Sequence, residues 1–228
     1  MKGLPNGHLL QSAAIAEFIA TAFLLIAVVG SGIAAERLCG GNVGLALLAN
    51  ALATAAALFA LILVFAPLSG AHMNPCVTVA AAVVSGFEWK AVPIYMLAQI
   101  AGAVAGTFLA HGMFAVPIFE LGTHIRTGGD QWLAESVATL GLLGVIWGTA
   151  RYQTPTAAAA IAAYIGGAYW FTASTSFANP AVTLARALTD SFSGIRPTDV
   201  AGFVAAQFIG LAVAVAGLRI CSQSRLDS

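Results

Sequence analysis

Fifty consecutive residues, Leu38 to Phe87, contain no Asp, Glu, Lys or Arg. A membrane-crossing helix uses about 20 apolar residues, so a single crossing leaves much of that stretch unaccounted for. Pro67, Ser69, Gly70, His72, Asn74 and Pro75 interrupt it, and the apolar segment that follows, Cys76 to Ser85, has only 10 residues. At about 1.5 Å rise per residue it reaches roughly 15 Å, half the hydrocarbon thickness. The stretch therefore reads as one full crossing followed by a segment that dips into lipid and returns. Irregular backbone at membrane depth is tolerated only where it packs in protein or lines a watery cavity. A buried site or a pore is the expectation.

Composition points the same way. Of 228 residues, 60% are hydrophobic and 8% charged, with nine basic side chains against nine acidic ones; soluble domains carry roughly 25% charged residues. Zero net charge and no clustered basic patch exclude a nucleic-acid surface. Cys39, Cys76 and Cys221 form no CxxC pair, which excludes a disulfide framework or zinc knuckle; Cys39 and Cys221 read as small buried hydrophobes. No HExxH, GxSxG or metal-ligand cluster is present, so neither an enzyme nor a cofactor is expected. A junction protein with a closed pore is the third class, and the short loops offer it no adhesive surface. Lys2 and the apolar run up to Ala34 and Ala35 imitate a secretory signal, yet that run returns later in the chain and so belongs to the fold.

Hydropathy, breakers and charges place spans near 12–35, 44–66, 91–116, 133–150, 155–173 and 199–220. After Thr172 a second polar run leads to Asn179, Pro180 and a short apolar segment ending near Leu188. The expected fold class is all-α: six transmembrane helices plus two re-entrant half-helices, in one domain over 1–228. The basic residues decide orientation weakly: with both termini inside, Lys2, Lys90, Arg151, Arg219 and Arg225 face Arg37, Arg126, Arg186 and Arg196.

The halves repeat. AEFIATAFLL from Ala16 matches AESVATLGLL from Ala134, Asn74-Pro75-Cys76-Val77-Thr78 matches Asn179-Pro180-Ala181-Val182-Thr183, and the Ala-Gln-x-x-Gly at Ala98 matches that at Ala206. Each half, approximately 12–116 and 133–220, contains three spans, so the second copy enters the bilayer upside down. Such repeats put the functional site at the midplane between them.

Proline at the first helical position lacks an N–H that would be unsatisfied there, and Asn is a strong N-cap. Asn74-Pro75 and Asn179-Pro180 therefore start helices. Two N-termini meeting from opposite sides concentrate positive dipole ends at the centre and repel cations, hydronium included. The asparagine amides donate to an oxygen passing between them, which separates a water or hydroxylated solute from its neighbours. A lone Asn-Pro is a capped turn; two in inverted halves read as a pair.

LSGAHMNPCVT at Leu68 and NPAVT at Asn179 resemble the signature loops of the aquaporin, or major intrinsic protein, family, and the AExxAT and Ala-Gln-x-x-Gly segments fall in family order along the whole chain. The resemblance implies a passive channel in a lipid bilayer, a homotetramer with one pore per subunit, cytoplasmic termini and, for a bacterial member, the inner membrane. It implies a central constriction at Asn74, Pro75, Cys76, Asn179, Pro180 and Ala181.

The sequence departs from the family twice. Cys76 stands where Ala is usual: a thiol there either binds mercurials or trivalent arsenic or, the favoured reading, packs as a slightly larger Ala. Where most members carry an arginine after the second motif this chain has Val182, and ungapped register adds Ser176, Gly167 and Thr54 as the other filter positions. Pore width and lining polarity set selectivity. A Thr-Gly-Ser-Val ring is wide and uncharged, and resembles the bacterial branch associated with glycerol and with metalloid hydroxides such as arsenite and methylated arsenicals. A water-selective channel is the alternative.

Arg186, one turn after Val182, reads as a helix-end dipole partner or a snorkelling anchor, with a guard of the vestibule as the sharper alternative. Intramembrane Glu17 and Glu135 are candidate relay groups by default, but their symmetric placement favours carboxylates that hold the re-entrant loops. His72 either lines the inner approach or supports the loop. Gly102 and Gly106 form a GxxxG read as close helix packing.

Overall fold

A computed structural model describes residues 7–223, so Lys2 and Arg225 lie outside the described residues, as does the side chain of Cys221. The described residues form eight α-helices: α1 Gly7–Leu38, α2 Val43–Ser69, α3 Pro75–Val84, α4 Val92–Phe114, α5 Gly129–Thr149, α6 Thr154–Phe171, α7 Pro180–Arg186 and α8 Val200–Gln223. Among the described residues there is no strand. Five of the six long helices are long and apolar enough to cross a membrane. The remaining one, α6, has 18 residues, about 27 Å of helix, and its threonines, glycines and tyrosines dilute its apolar character. The protein is thus a multi-pass membrane protein with six long helices and two half-length ones.

Packing follows the repeat. Helix α1 lies against α4 and α2, α5 against α8 and α6, and α2 crosses to α6. Glycine allows two close crossings, α1 with α4 and α5 with α8: a Cβ on Gly102 would stand 2.2 Å from the Phe18 carbonyl oxygen, one on Gly106 2.2 Å from that of Ala22, and one on Gly210 2.3 Å from that of Ser136. Only the missing side chain lets these backbones approach so closely. Gly102 and Gly210 are the glycines of the two Ala-Gln-x-x-Gly segments, so the matched motifs occupy matched contacts.

Both half-helices begin as the motifs require. The Asn74 side chain accepts from the Cys76 N–H at 2.9 Å, and that of Asn179 from Ala181 at 3.0 Å and Val182 at 3.3 Å, with proline at the next position in each case. Helix α3 has 10 residues and α7 has seven. Beyond α4, the connection 115–128 folds back over the end of α7: Gly122 donates to the Ala187 carbonyl and Arg196 to that of His124.

Candidate functional site

The two loops that deliver Asn74 and Asn179 are strained in the same way. Ala71 and Met73 in the first, and Ser176 and Ala178 in the second, have φ between 48° and 50°, three residues and one residue before each asparagine. Such left-handed conformations carry a cost outside glycine and persist where surroundings over-determine them. Two buried carboxylates do so here. Glu17 accepts from Ser69 Oγ (2.6 Å), the His72 N–H (2.8 Å), the Met73 N–H (2.6 Å) and Gln99 Nε2 (2.8 Å). Glu135 accepts from the Phe177 N–H (2.9 Å), the Ala178 N–H (2.9 Å) and Gln207 Nε2 (2.6 Å). Each carboxylate thus holds the two amides immediately before the asparagine.

The glutamines tie this clamp to the half-helices. Gln99 Nε2 also donates to Thr78 Oγ1 at 2.9 Å, and Gln207 Nε2 to Thr183 Oγ1 at 2.8 Å. Each threonine hydroxyl in turn donates to the carbonyl of its asparagine, at 3.1 Å and 2.8 Å. In the sequence Gln99, Gln207, Thr78 and Thr183 stand out only as matched letters of the repeat. Their recurrence in the same order, Thr78 to Gln99 over 21 residues and Thr183 to Gln207 over 24, is the signal of a shared role, since a polar side chain buried in a lipid-facing bundle needs a partner.

The asparagines meet. Asn74 Nδ2 donates to the Ala178 carbonyl at 2.7 Å, and Asn179 Nδ2 donates to the Met73 carbonyl at 2.7 Å. This reciprocal pair fastens the tips of α3 and α7 to one another. An amide nitrogen has two N–H groups, so one remains on each asparagine, and both side chains line a cavity of about 180 Å³. That cavity runs from Ser85 and Trp147, beside the end of α3, past the asparagines to Ser176 and Arg186 beside α7.

The lining differs from the expected set at several places. Thr54, Ser176 and Val182 line the cavity, but Gly167 does not. Residues on a helix are about 100° apart, so Gly167 lies half a turn away from Ile165 and Tyr169, which do face the cavity, and it is exposed on the outer surface. Tyr169, missed from the sequence, is buried and its hydroxyl lies 3.2 Å from Thr54 Oγ1. Of the six residues expected at the central constriction only the two asparagines line the cavity. Pro75, Pro180 and Ala181 are buried in the helix starts. Cys76 is fully buried among Val77, Leu143, Leu211 and Ala214, because the first turn of α3 turns it toward α5 and α8.

His72 has two jobs. Its backbone is held by Glu17, while its ring lines the cavity, stands 3.2 Å from Thr78 Oγ1 through Nδ1, and packs edge-on to Phe87 at 5.2 Å. At the other end Arg186 also lines the cavity; it is 2% exposed, with its guanidinium carbon 3.4 Å from the centroid of the Phe177 ring. Arg126, from the connection after α4, stands 5.0 Å from the same ring. Burial pulls the Arg126 guanidinium below its usual range, but an arginine stays charged in a protein.

Two half-helices joined tip to tip by their capping asparagines, inside an inverted six-helix bundle, define a membrane channel for small solutes. Residues 7–173 match the family described as "Major intrinsic protein". The chain is 47% identical to "Aquaglyceroporin AqpS" of Rhizobium meliloti over 205 residues, 90% of this chain and 88% of that one. It is 38% identical to "Probable aquaporin TIP1-1" of rice over 143 residues, 60% of this chain and 56% of that one. The crystal structure of the aquaglyceroporin from Plasmodium falciparum superposes with a TM-score of 0.69 at 23% identity, covering 95% of this chain and 99% of that one. The chain belongs to the major intrinsic protein family. It is a channel rather than an enzyme, and it passes small neutral solutes and water.

Proposed function

We propose that the chain is a wide-filter channel for glycerol and for metalloid hydroxides, such as arsenite and methylated arsenicals, as well as for water. The carrying observation is the small side chain at Val182 in the lining beside α7. Where the resemblance would put an arginine, the cavity meets Val182, flanked by Thr54 and Ser176. A short aliphatic group there leaves room for solutes bulkier than water, and width with lining polarity governs which solutes pass. The remaining N–H of Asn74 and of Asn179 supplies two donors at one level, suited to a molecule bearing more than one hydroxyl.

The identity with the rhizobial aquaglyceroporin supports the glycerol part of this reading. Assembly as a homotetramer with one pore per subunit, cytoplasmic termini, and residence in a bacterial inner membrane belong to the same reading and rest on family membership. In that orientation the Arg186 end of the cavity is the outer mouth. The water-selective alternative draws on Tyr169 and Arg186, whose large side chains share the lining with Val182.

Stopped-flow light scattering on proteoliposomes separates the two. The wide-filter reading expects fast shrinkage under sucrose, and fast shrinkage followed by rapid re-swelling under glycerol. Fast shrinkage under both with no re-swelling selects the water channel; slow responses throughout contradict both.

A further inference from the structure

We propose that Arg186 is the charge-selecting residue of this pore, moved one helical turn along α7 so that the lining at position 182 stays small while a cation still faces the solute. This deepens the channel reading above and rests on it. Helical side chains lean toward the N-terminus and cover the turn before their own Cα, so Arg186, four residues after Val182, leans over Val182 on the same face. Both residues line the cavity.

The guanidinium is held on two sides. Its face lies on the Phe177 ring at 3.4 Å, and Nε donates to the Ser193 carbonyl. The Ser193 segment is itself fixed by a chain of hydroxyls: Ser193 Oγ lies 3.1 Å from Ser191 Oγ, Thr189 Oγ1 donates to Ser191 Oγ at 3.0 Å, and His111 Nε2 of α4 lies 2.7 Å from Thr189 Oγ1. The site is therefore built into the fold, unlike a snorkelling side chain.

Its charge is not neutralised. Among the described residues the ion pair is Arg196 with Asp199, and no protein acceptor engages either Nη of Arg186. Arginine has five N–H donors; here one is used, and the cavity is where the others find acceptors. A buried cation with free donors repels an entering cation in a medium of reduced dielectric and hydrogen-bonds the oxygens of a neutral hydroxylated solute. Arg126, donating to the Gly194 carbonyl at 2.8 Å and standing on the same Phe177 ring at 5.0 Å, adds to the positive potential behind it. Ser176, with a buried Oγ that has no protein partner, offers a further hydroxyl on the same lining. The admitted class is small neutral molecules with several oxygens; the excluded class is ammonium, alkylammonium and alkali cations.

The test compares wild type, Arg186→Gln and Arg186→Lys in proteoliposomes, reading water flux under sucrose, glycerol entry and methylammonium entry from an internal pH dye. Wild type should pass water and glycerol and exclude methylammonium. Arg186→Gln keeps an amide donor for the Ser193 carbonyl and loses the charge; its methylammonium-to-water permeability ratio should rise at least about tenfold, while Arg186→Lys stays tight. A water-conducting Arg186→Gln that excludes methylammonium as well as wild type overturns the proposal, and so does a lysine variant that leaks like the glutamine one. Should Arg186→Gln carry no water, butanedione modification of wild-type vesicles reads the same charge in an intact fold. A methylammonium leak that appears in wild type and not in Arg186→Lys supports the proposal, and modification without a leak overturns it. Wild-type vesicles that conduct neither water nor glycerol overturn the channel reading itself, on a readout separate from the cation leak.

Discussion

The loop before Asn74 and the loop before Asn179 hang from the same scaffold and present different surfaces. In both, a buried glutamate holds the two amides before the asparagine, a glutamine links that glutamate to a threonine on the half-helix, and the third and first residues before the asparagine take a left-handed conformation. The cavity lining, by contrast, is His72, Val77 and Ala81 on the first side and Ser176, Val182 and Arg186 on the second. Symmetry is kept where backbone must be satisfied inside a bilayer and dropped where solute is met. The repeat is kept in the buried scaffold and broken in the cavity lining.

The glutamates break the symmetry of the scaffold most sharply, because Glu17 has four donors and Glu135 three; Ser69 supplies the extra one. A hydrogen bond to a charged group is worth about 1.5–3 kcal/mol, and an amide in place of either carboxylate weakens every one of these bonds and turns an NH2 group toward donors. Glu17→Gln and Glu135→Gln should therefore both lower the detergent-unfolding midpoint strongly, with Glu17→Gln the worse by about one such bond. Equal losses would mean that Ser69 contributes nothing to the clamp.

The crossing glycines sharpen the opposite point, that the two halves are equivalent away from the pore. Gly102→Ala and Gly210→Ala each drive a Cβ into a backbone carbonyl, which cannot swing aside as a flexible side chain would. Each substitution should cost about 1–3 kcal/mol by overpacking, and the two costs should agree. A large difference in the unfolding midpoints of the two variants would show that one half sets the stability of the bundle.

These contrasts track what the sequence made legible. The uncharged stretch 38–87, the two Asn-Pro pairs and the repeated Ala-Gln-x-x-Gly segments led to half-helices and their partners, because satisfying backbone in lipid leaves few solutions. Position along a helix was less legible. Gly167 was placed by counting back from Asn179, but the loop 172–179 fixes which face of α6 meets the cavity, and that face carries Ile165 and Tyr169. Arg186 read as a dipole partner because a sequence does not reveal that Phe177 and Ser193, distant from one another along the chain, come together to hold its guanidinium.

The smallest expected effect concerns Cys76, the first-half residue that differs from Ala181 in the second. It is fully buried on the side away from the cavity, so Cys76→Ala should change stability by no more than about 1 kcal/mol, and mercurials should leave water flux through wild-type vesicles unchanged. Block by mercury that Cys76→Ala relieves would put the thiol within reach of the solute path.

The central claim is that solute width is set beside α7, at Val182. Its most direct test is the glycerol-to-water permeability ratio of wild type and Val182→Arg in proteoliposomes. An arginine there should fill the lining that the valine leaves open and lower glycerol entry at least about tenfold more than water flow. Equal losses of both, or an unchanged ratio, would contradict it.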